Sequence, residues 1–212
     1  MPTVADQMLL DSSLVRKHQK IICAIADYSV PAPDTFFDEQ GMPAALPTGF
    51  MQMGLITTDG LPLSSDVSTD DVDSVQTTNH TRSDVSSDVV SSQIVFQETS
   101  ELTLALQYGV LFADMPERGT LVDFKRKASA DQPLRRMYWL TQDRVGPDAF
   151  YRVIFQPMIQ ITDKDDRNLQ RSDEEQHSFT FTPMFDNEYG TDMRELMDGP
   201  GWRAKAAPAP AP

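Results

Sequence analysis

From Tyr151 to Ile161, and again from His177 to Phe185, apolar and polar residues alternate with a period of two. That period places successive side chains on opposite faces of an extended chain, so it demands β-strands and excludes a helical bundle. Tyr151, Val153, Phe155, Ile159 and Ile161 fall on one face, with Arg152, Gln156 and Gln160 on the other. Pro157 interrupts the donor pattern and predicts a bulge or an edge. In the second run Phe179, Phe181 and Phe185 oppose Ser178, Thr180 and Thr182. The charged run between them, TDKDDRNLQRSDEEQ, reads as a solvated turn, and the two strands make a hairpin.

The rest of the chain fits a β-rich domain. Lys20–Tyr28 has apolar residues on both faces, as in a strand covered on both sides. The Pro- and Gly-rich stretch that follows predicts a long loop. Phe50–Ile56 and Leu61–Val67 read as strands, and Asp59-Gly60 between them is a hairpin signal. Ser68–Ser87 is rich in Ser, Thr and Asp with recurring valines, which predicts a polar strand pair or long hairpin. Ser91–Gln97 alternates so that Ile94 and Phe96 face a core. One helix is predicted next. Thr99 or Ser100 caps it, Leu102, Ala105 and Leu106 form its apolar stripe, and Gly109 sits at the C′ position. Leu121–Lys127 and Leu134–Thr141 read as strands around a turn at Ser129–Gln132. From Glu188 the chain reads as loop, ending in a Pro/Ala tail.

The 212 residues carry a formal net charge of -14, which argues against a nucleic-acid binder that grips phosphate with Lys and Arg. One cysteine, Cys23, rules out a disulfide framework within the chain and reads as a buried thiol. The residues MPTVADQMLL lack the pattern of a signal peptide, and no apolar run approaches the ~20 residues that cross a bilayer. A soluble protein made in a cytoplasm is expected. His18, His80 and His177 are scattered without zinc-site spacing. Asp163, Asp165, Asp166 and Asn168 lack the Gly and Glu of a calcium loop. No catalytic or cofactor motif stands out, so no enzyme, metal or cofactor is expected.

Three segments, in order, carry a family resemblance. Gly54-Leu55-Ile56-Thr57-Thr58-Asp59-Gly60-Leu61 resembles the G-ϕ-ϕ-S/T-x-D/E-G hairpin of actinobacteriophage-type tail tube proteins. Ser68-Thr69-Asp70-Asp71-Val72 is similar to the S-T-E-D-I segment that follows it there. Phe96-Gln97-Glu98-Thr99, with Tyr108-Gly109 ending the helix, resembles that family's F-x-E-T-N…Y-G region. Ser100 stands where Asn is frequent, and the Pro-rich 31–47 loop departs from the pattern.

The resemblance implies the major tail tube protein of a siphophage. It implies a mainly β fold, a β-sandwich that forms a β-barrel with neighbouring subunits, with one flanking α-helix and extended terminal arms. The expected division is an arm at 1–19, a β-sandwich domain at 20–187 and a C-terminal arm at 188–212. The arms and the loop Val30–Gly49 are expected to lie on neighbouring subunits. The implied function is structural: stacked hexameric rings form an acidic conduit for DNA ejection, in a virion tail assembled in the host cytoplasm. Implied partners are other copies of the chain, the tape measure protein, and the tail terminator and distal tail proteins. DNA passes without specific binding. Asp70, Asp73, Asp84 and Asp88 are the lumen-lining candidates. The alternative is a β-sandwich binding module or virion decoration protein, which exposed Tyr138 and Trp139 would favour. A third reading, a hydrolase, would use the carboxylates of Asp66–Asp73.

Overall fold

In the computed structural model the described residues are 12–126 and 132–204. They form a mainly β structure: one antiparallel sheet in the strand order β2-β1-β5-β6-β7-β4-β3, with β8 added on β6. The strands are β1 (Lys20–Asp27), β2 (Met51–Gln52), β3 (Ser64–Val72), β4 (Arg82–Phe96), β5 (Arg135–Asp143), β6 (Phe150–Lys164), β7 (His177–Pro183) and β8 (Arg194–Asp198). Helix α1 spans Glu101–Tyr108 and the short α2 spans Pro200–Arg203.

The sheet has an inner and an outer apolar face. On the inner face Cys23, Ile25, Met137, Trp139, Ile94, Phe96, Phe179 and Phe181 gather with Ala105 and Leu106 of α1. On the outer face Ala24, Ala26, Tyr138, Val153 and Phe155 lie under Phe36 and Phe50 of the loop after β1. Segment 51–57 links the two sides of the strand order. Met53 N–H donates to Cys23 O of β1 (2.9 Å), whereas Thr57 N–H donates to Val95 O (3.0 Å) and Gln97 N–H to Leu55 O (3.0 Å) at the end of β4. The hydrogen-bonded path therefore leaves β1 through β5, β6, β7 and β4 and returns to β1. Gly54 makes this crossing possible. Its φ is +84°, and a Cβ there would stand 2.4 Å from the Glu98 carboxyl, which accepts the Leu55 N–H at 2.8 Å.

Helix α1 forms where its caps predict. Ser100 is the N-cap, its side chain accepts from Thr103 N–H, and Thr103 Oγ1 accepts the Ser100 N–H in return. Gly109 closes the helix in the left-handed conformation. Beyond the helix, the buried Arg135–Asp27 pair (2.6 Å) anchors the chain: Asp27 also accepts Ala113 N–H, Arg135 donates to Val110 O, and its guanidinium lies 4.1 Å over the Phe112 ring.

Several expectations need correction. Asp59-Gly60 does make a turn, with Gly60 N–H bonded to Thr57 O, but it does not join a hairpin. The chain before it bonds β4 and the strand after it, β3, pairs with a more distant stretch of β4, so the two flanks part. Residues 121–126 are not a strand; Leu121 is exposed, and only Phe124 packs inward, against Tyr108. Lys127 and most of the Ser129–Gln132 turn lie outside the described residues. The period-two reading of β6 fails at Pro157. Register with β5 shifts there, so Phe155 lies on the outer face while Ile159 and Ile161 lie on the inner one. Phe185 falls beyond β7 and is exposed. The stretch after Glu188 holds β8 and α2, with Tyr189 against Phe155 and Trp202 against Phe150. The loop 30–49 folds over its own sheet through Phe36. Of the two arms, residues 1–11 and 205–212 lie outside the described residues. No helix among the described residues is long and apolar enough to cross a membrane.

Candidate assembly surface

β4 is 15 residues long, and only Ser92–Phe96 pairs with β7. Its first part, Arg82–Ser91, pairs only with β3. The result is a two-stranded ribbon that leaves the sheet. All nine residues of β3 are exposed, as are residues 82–89 of β4. At ~3.3 Å per residue the nine residues of β3 reach about 30 Å. The recurring valines with Thr69 suit extended backbone, and no Pro or Gly interrupts residues 63–91. Its root is fixed by Ser92, whose buried hydroxyl donates to Pro62 O.

The register sorts the acidic residues onto two faces. Asp66, Asp70 and Asp84 share one face with Val72, Arg82 and Val89. Asp71 and Asp88 share the other with Val67, Thr69 and Val85. An extra residue on β4, where register shifts between Ser68 and Thr69, makes this assignment: Thr69 stands opposite Val85 rather than Ser86. Asp70 and Asp84 are thus brought together as direct cross-strand partners. Asp88 is turned away from them and accepts from Ser65 Oγ at 3.0 Å. Asp73 lies past the end of β3, at the ribbon tip, where His80 Nδ1 stands 2.6 Å from its carboxylate. Arg82 is not a stray positive charge: its Nε donates to Asp84 at 2.6 Å.

The other polar clusters are structural in their contacts. Asp165 accepts from Gln93 Nε2 (2.6 Å) and Ser178 Oγ (2.7 Å), tying the acidic loop after β6 to the sheet. An open hollow of about 440 Å³ beside it is lined by Asp166, Asn168, Gln170, Asp173, Glu174 and Gln176. His177 is buried beside Thr99 and Glu175, and burial together with the nearby Arg167 lowers its pKa. Among the described residues no group of three or more His, Cys, Asp or Glu is arranged to hold a metal ion. Cys23 is buried, and burial pushes its thiol far above the ordinary range. Tyr138 and Trp139, whose exposure would have favoured a binding module, are buried at 2% each. The carboxylates of Asp66–Asp73 are exposed and divided between two faces and the tip.

The long ribbon was legible as a polar hairpin. Its separation from the sheet was not, because exposure on both faces leaves no periodic apolar signal. No protein-family model matches the sequence, and no curated protein matches it significantly.

Proposed function

We propose that the chain is the repeating subunit of a siphophage tail tube, with no catalytic role, and that the ribbon is its principal assembly element. The observation that carries this reading is the ribbon's isolation. A two-stranded hairpin alone in water is marginally stable, and here one 15-residue strand commits ten of its residues to such a hairpin. Both long edges keep unpaired backbone donors and acceptors, and residues 63–91 contain no Lys or Pro to blunt them. A second copy of the chain supplies the missing strands. The two edges differ, so the contact is head-to-tail and closes into a ring when the rotation allows. The number six rests on the family resemblance, as do the barrel shared between subunits and the sandwich form of the domain.

The face bearing Asp66, Asp70 and Asp84 lines the bore in this reading, and the face bearing Val67, Thr69 and Val85 turns toward a neighbouring subunit. Proteins bind DNA largely through Lys and Arg, whose contacts with phosphate release the counterions condensed on the duplex. A wall of opposite tendency lets it slide. Repulsion acts over roughly a Debye length, ~8 Å at physiological salt, so the charges have to stand near the DNA path. Partners follow from the same resemblance: the tape measure protein inside the tube, and terminator and distal tail proteins at its ends. The location is a virion tail assembled in the host cytoplasm.

Negative-stain microscopy tests the assembly. The intact chain is expected to form rings or tubes. A variant in which residues 66–89 are replaced by Asn-Gly keeps the root of the ribbon and is expected to remain a folded monomer. An intact chain that stays monomeric at high concentration, or normal tubes from the shortened variant, would overturn the reading.

A further inference from the structure

Gln156 lies on β6 immediately before the Pro157 bulge and is fully buried, with 0% exposure. It stands opposite Met137, a member of the inner apolar cluster, so its side chain enters that cluster. Neither its Oε1 nor its Nε2 has a protein partner. The indole Nε1 of Trp139, on a residue 2% exposed, has none either. Trp139 stands opposite Ile154, which makes Trp139 and Gln156 diagonal neighbours on the same face of adjacent antiparallel strands. The backbones of residues so placed are about 7–8 Å apart, within reach of long and aromatic side chains, yet no direct bond joins these two.

The chemistry of the two groups is complementary. Indole N–H only donates, and a carboxamide offers both an acceptor and donors. Their cross-strand neighbours Cys23 and Met137 offer only sulfur, with Sγ and Sδ 3.9 Å from each other, and sulfur is a weak partner at best. A buried carboxamide left dry loses the full benefit of its solvation in water. We propose that one internal water molecule is held in the inner cluster, accepting from the Trp139 indole N–H and bridging it to the Gln156 carboxamide. Internal waters occupy such places, where two or more buried polar groups converge in otherwise apolar surroundings. The bridge fixes the rotamer of Gln156 next to the bulge that switches β6 from one face to the other.

The test uses the full chain kept as separate subunits and reads cross-peaks between water and the indole N–H protons by NMR. Trp202, 38% exposed, is the internal control for fast surface exchange. Trp139 is expected to show a cross-peak whose sign reports a long-lived water, and Gln156→Met is expected to abolish it. Absence of that cross-peak in the unaltered protein, or its persistence unchanged in Gln156→Met, overturns the proposal. A through-bond coupling from Trp139 Nε1 directly to the Gln156 carboxamide, measured in the unaltered protein, also overturns it. That second measurement decides the matter even if the variant does not fold.

Discussion

Asp70 and Asp84 face each other directly across the two strands of the ribbon, two like charges on one face, with Arg82 bonded to Asp84 beside them. Like charges in that position weaken strand pairing. The arrangement is costly for an isolated ribbon and makes sense where a negative surface is itself useful. Arg82→Gln is expected to speed amide exchange in residues 66–88 at low salt, with the difference shrinking as salt screens the pair. Asp70→Asn is expected to slow exchange. Hydrogen exchange at two ionic strengths checks both, and a salt-independent effect of Arg82→Gln would show that the pair of acids does not govern the ribbon.

If the same face lines a bore, changing Asp66, Asp70 and Asp84 together to Lys should slow DNA ejection from assembled virions, more at low salt than at high salt. Changing Asp71 and Asp88 on the opposite face should disturb assembly before it disturbs ejection. Equal ejection rates for all of these virions at both salt concentrations would remove the acidic-lumen idea.

Phe179 is fully buried between Phe96 and Phe181, whereas Phe185, which shares its period, is 59% exposed. Phe179→Ala should destabilise the fold by ~3–5 kcal/mol, and Phe185→Ala by no more than ~0.5 kcal/mol. Denaturant titration measures both. A large effect at Phe185 would mean that the strand continues past Pro183.

Asp27 holds the buried guanidinium of Arg135, and both residues are under 5% exposed. Asp27→Ala strands that charge and the Ala113 N–H, so a loss of ~3–5 kcal/mol is expected. Replacing both partners with apolar residues should recover much of it. A single substitution that costs nothing measurable would show that Arg135 finds other acceptors.

His177 has its pKa lowered from the ordinary 6.5, first by burial and then by Arg167, against an opposing pull from Glu175. The neutral ring is therefore the form the fold favours. Its contribution is present above the unfolded pKa, near 6.5, and is lost as pH falls through the lower folded value. Stability should decline between neutral and mildly acidic pH, and His177→Gln should flatten that part of the profile. Comparing the two proteins separates the histidine from the carboxylates that titrate lower. An unchanged profile in His177→Gln would place the acid sensitivity elsewhere.

Much of the sheet could be read directly from sequence because its inner strands carry apolar residues on one face or on both. Lys20–Asp27, Ser92–Phe96, Arg135–Thr141 and His177–Phe181 announce themselves in this way. The capped helix was legible for a different reason, since Ser100 and Gly109 act locally. What escaped was anything set by pairing. A bulge at Pro157 can be suspected from one residue, but the resulting transfer of Phe155 to the outer face depends on where β5 places its partners. Asp59-Gly60 specifies a turn without specifying that its flanks bond. β8 hides in a polar stretch because only Leu196 of its residues packs inward onto the outer cluster. The acidic candidates were picked out by composition, and the placing of Asp84 on the face of Asp70 rather than of Asp88 depends on the register shift in the ribbon.

β4 runs without a Gly or Pro from the exposed ribbon into the buried sheet, Arg82 at one end and Phe96 at the other. No hinge divides the part available to a neighbour from the part that holds the core. Whatever grips residues 82–91 also steadies Ile94 and Phe96, and whatever loosens those two slackens the ribbon. If a second copy captures the ribbon as proposed, capture and consolidation of the interior are one cooperative event, and a subunit on its own is expected to be softer throughout than the same subunit in company.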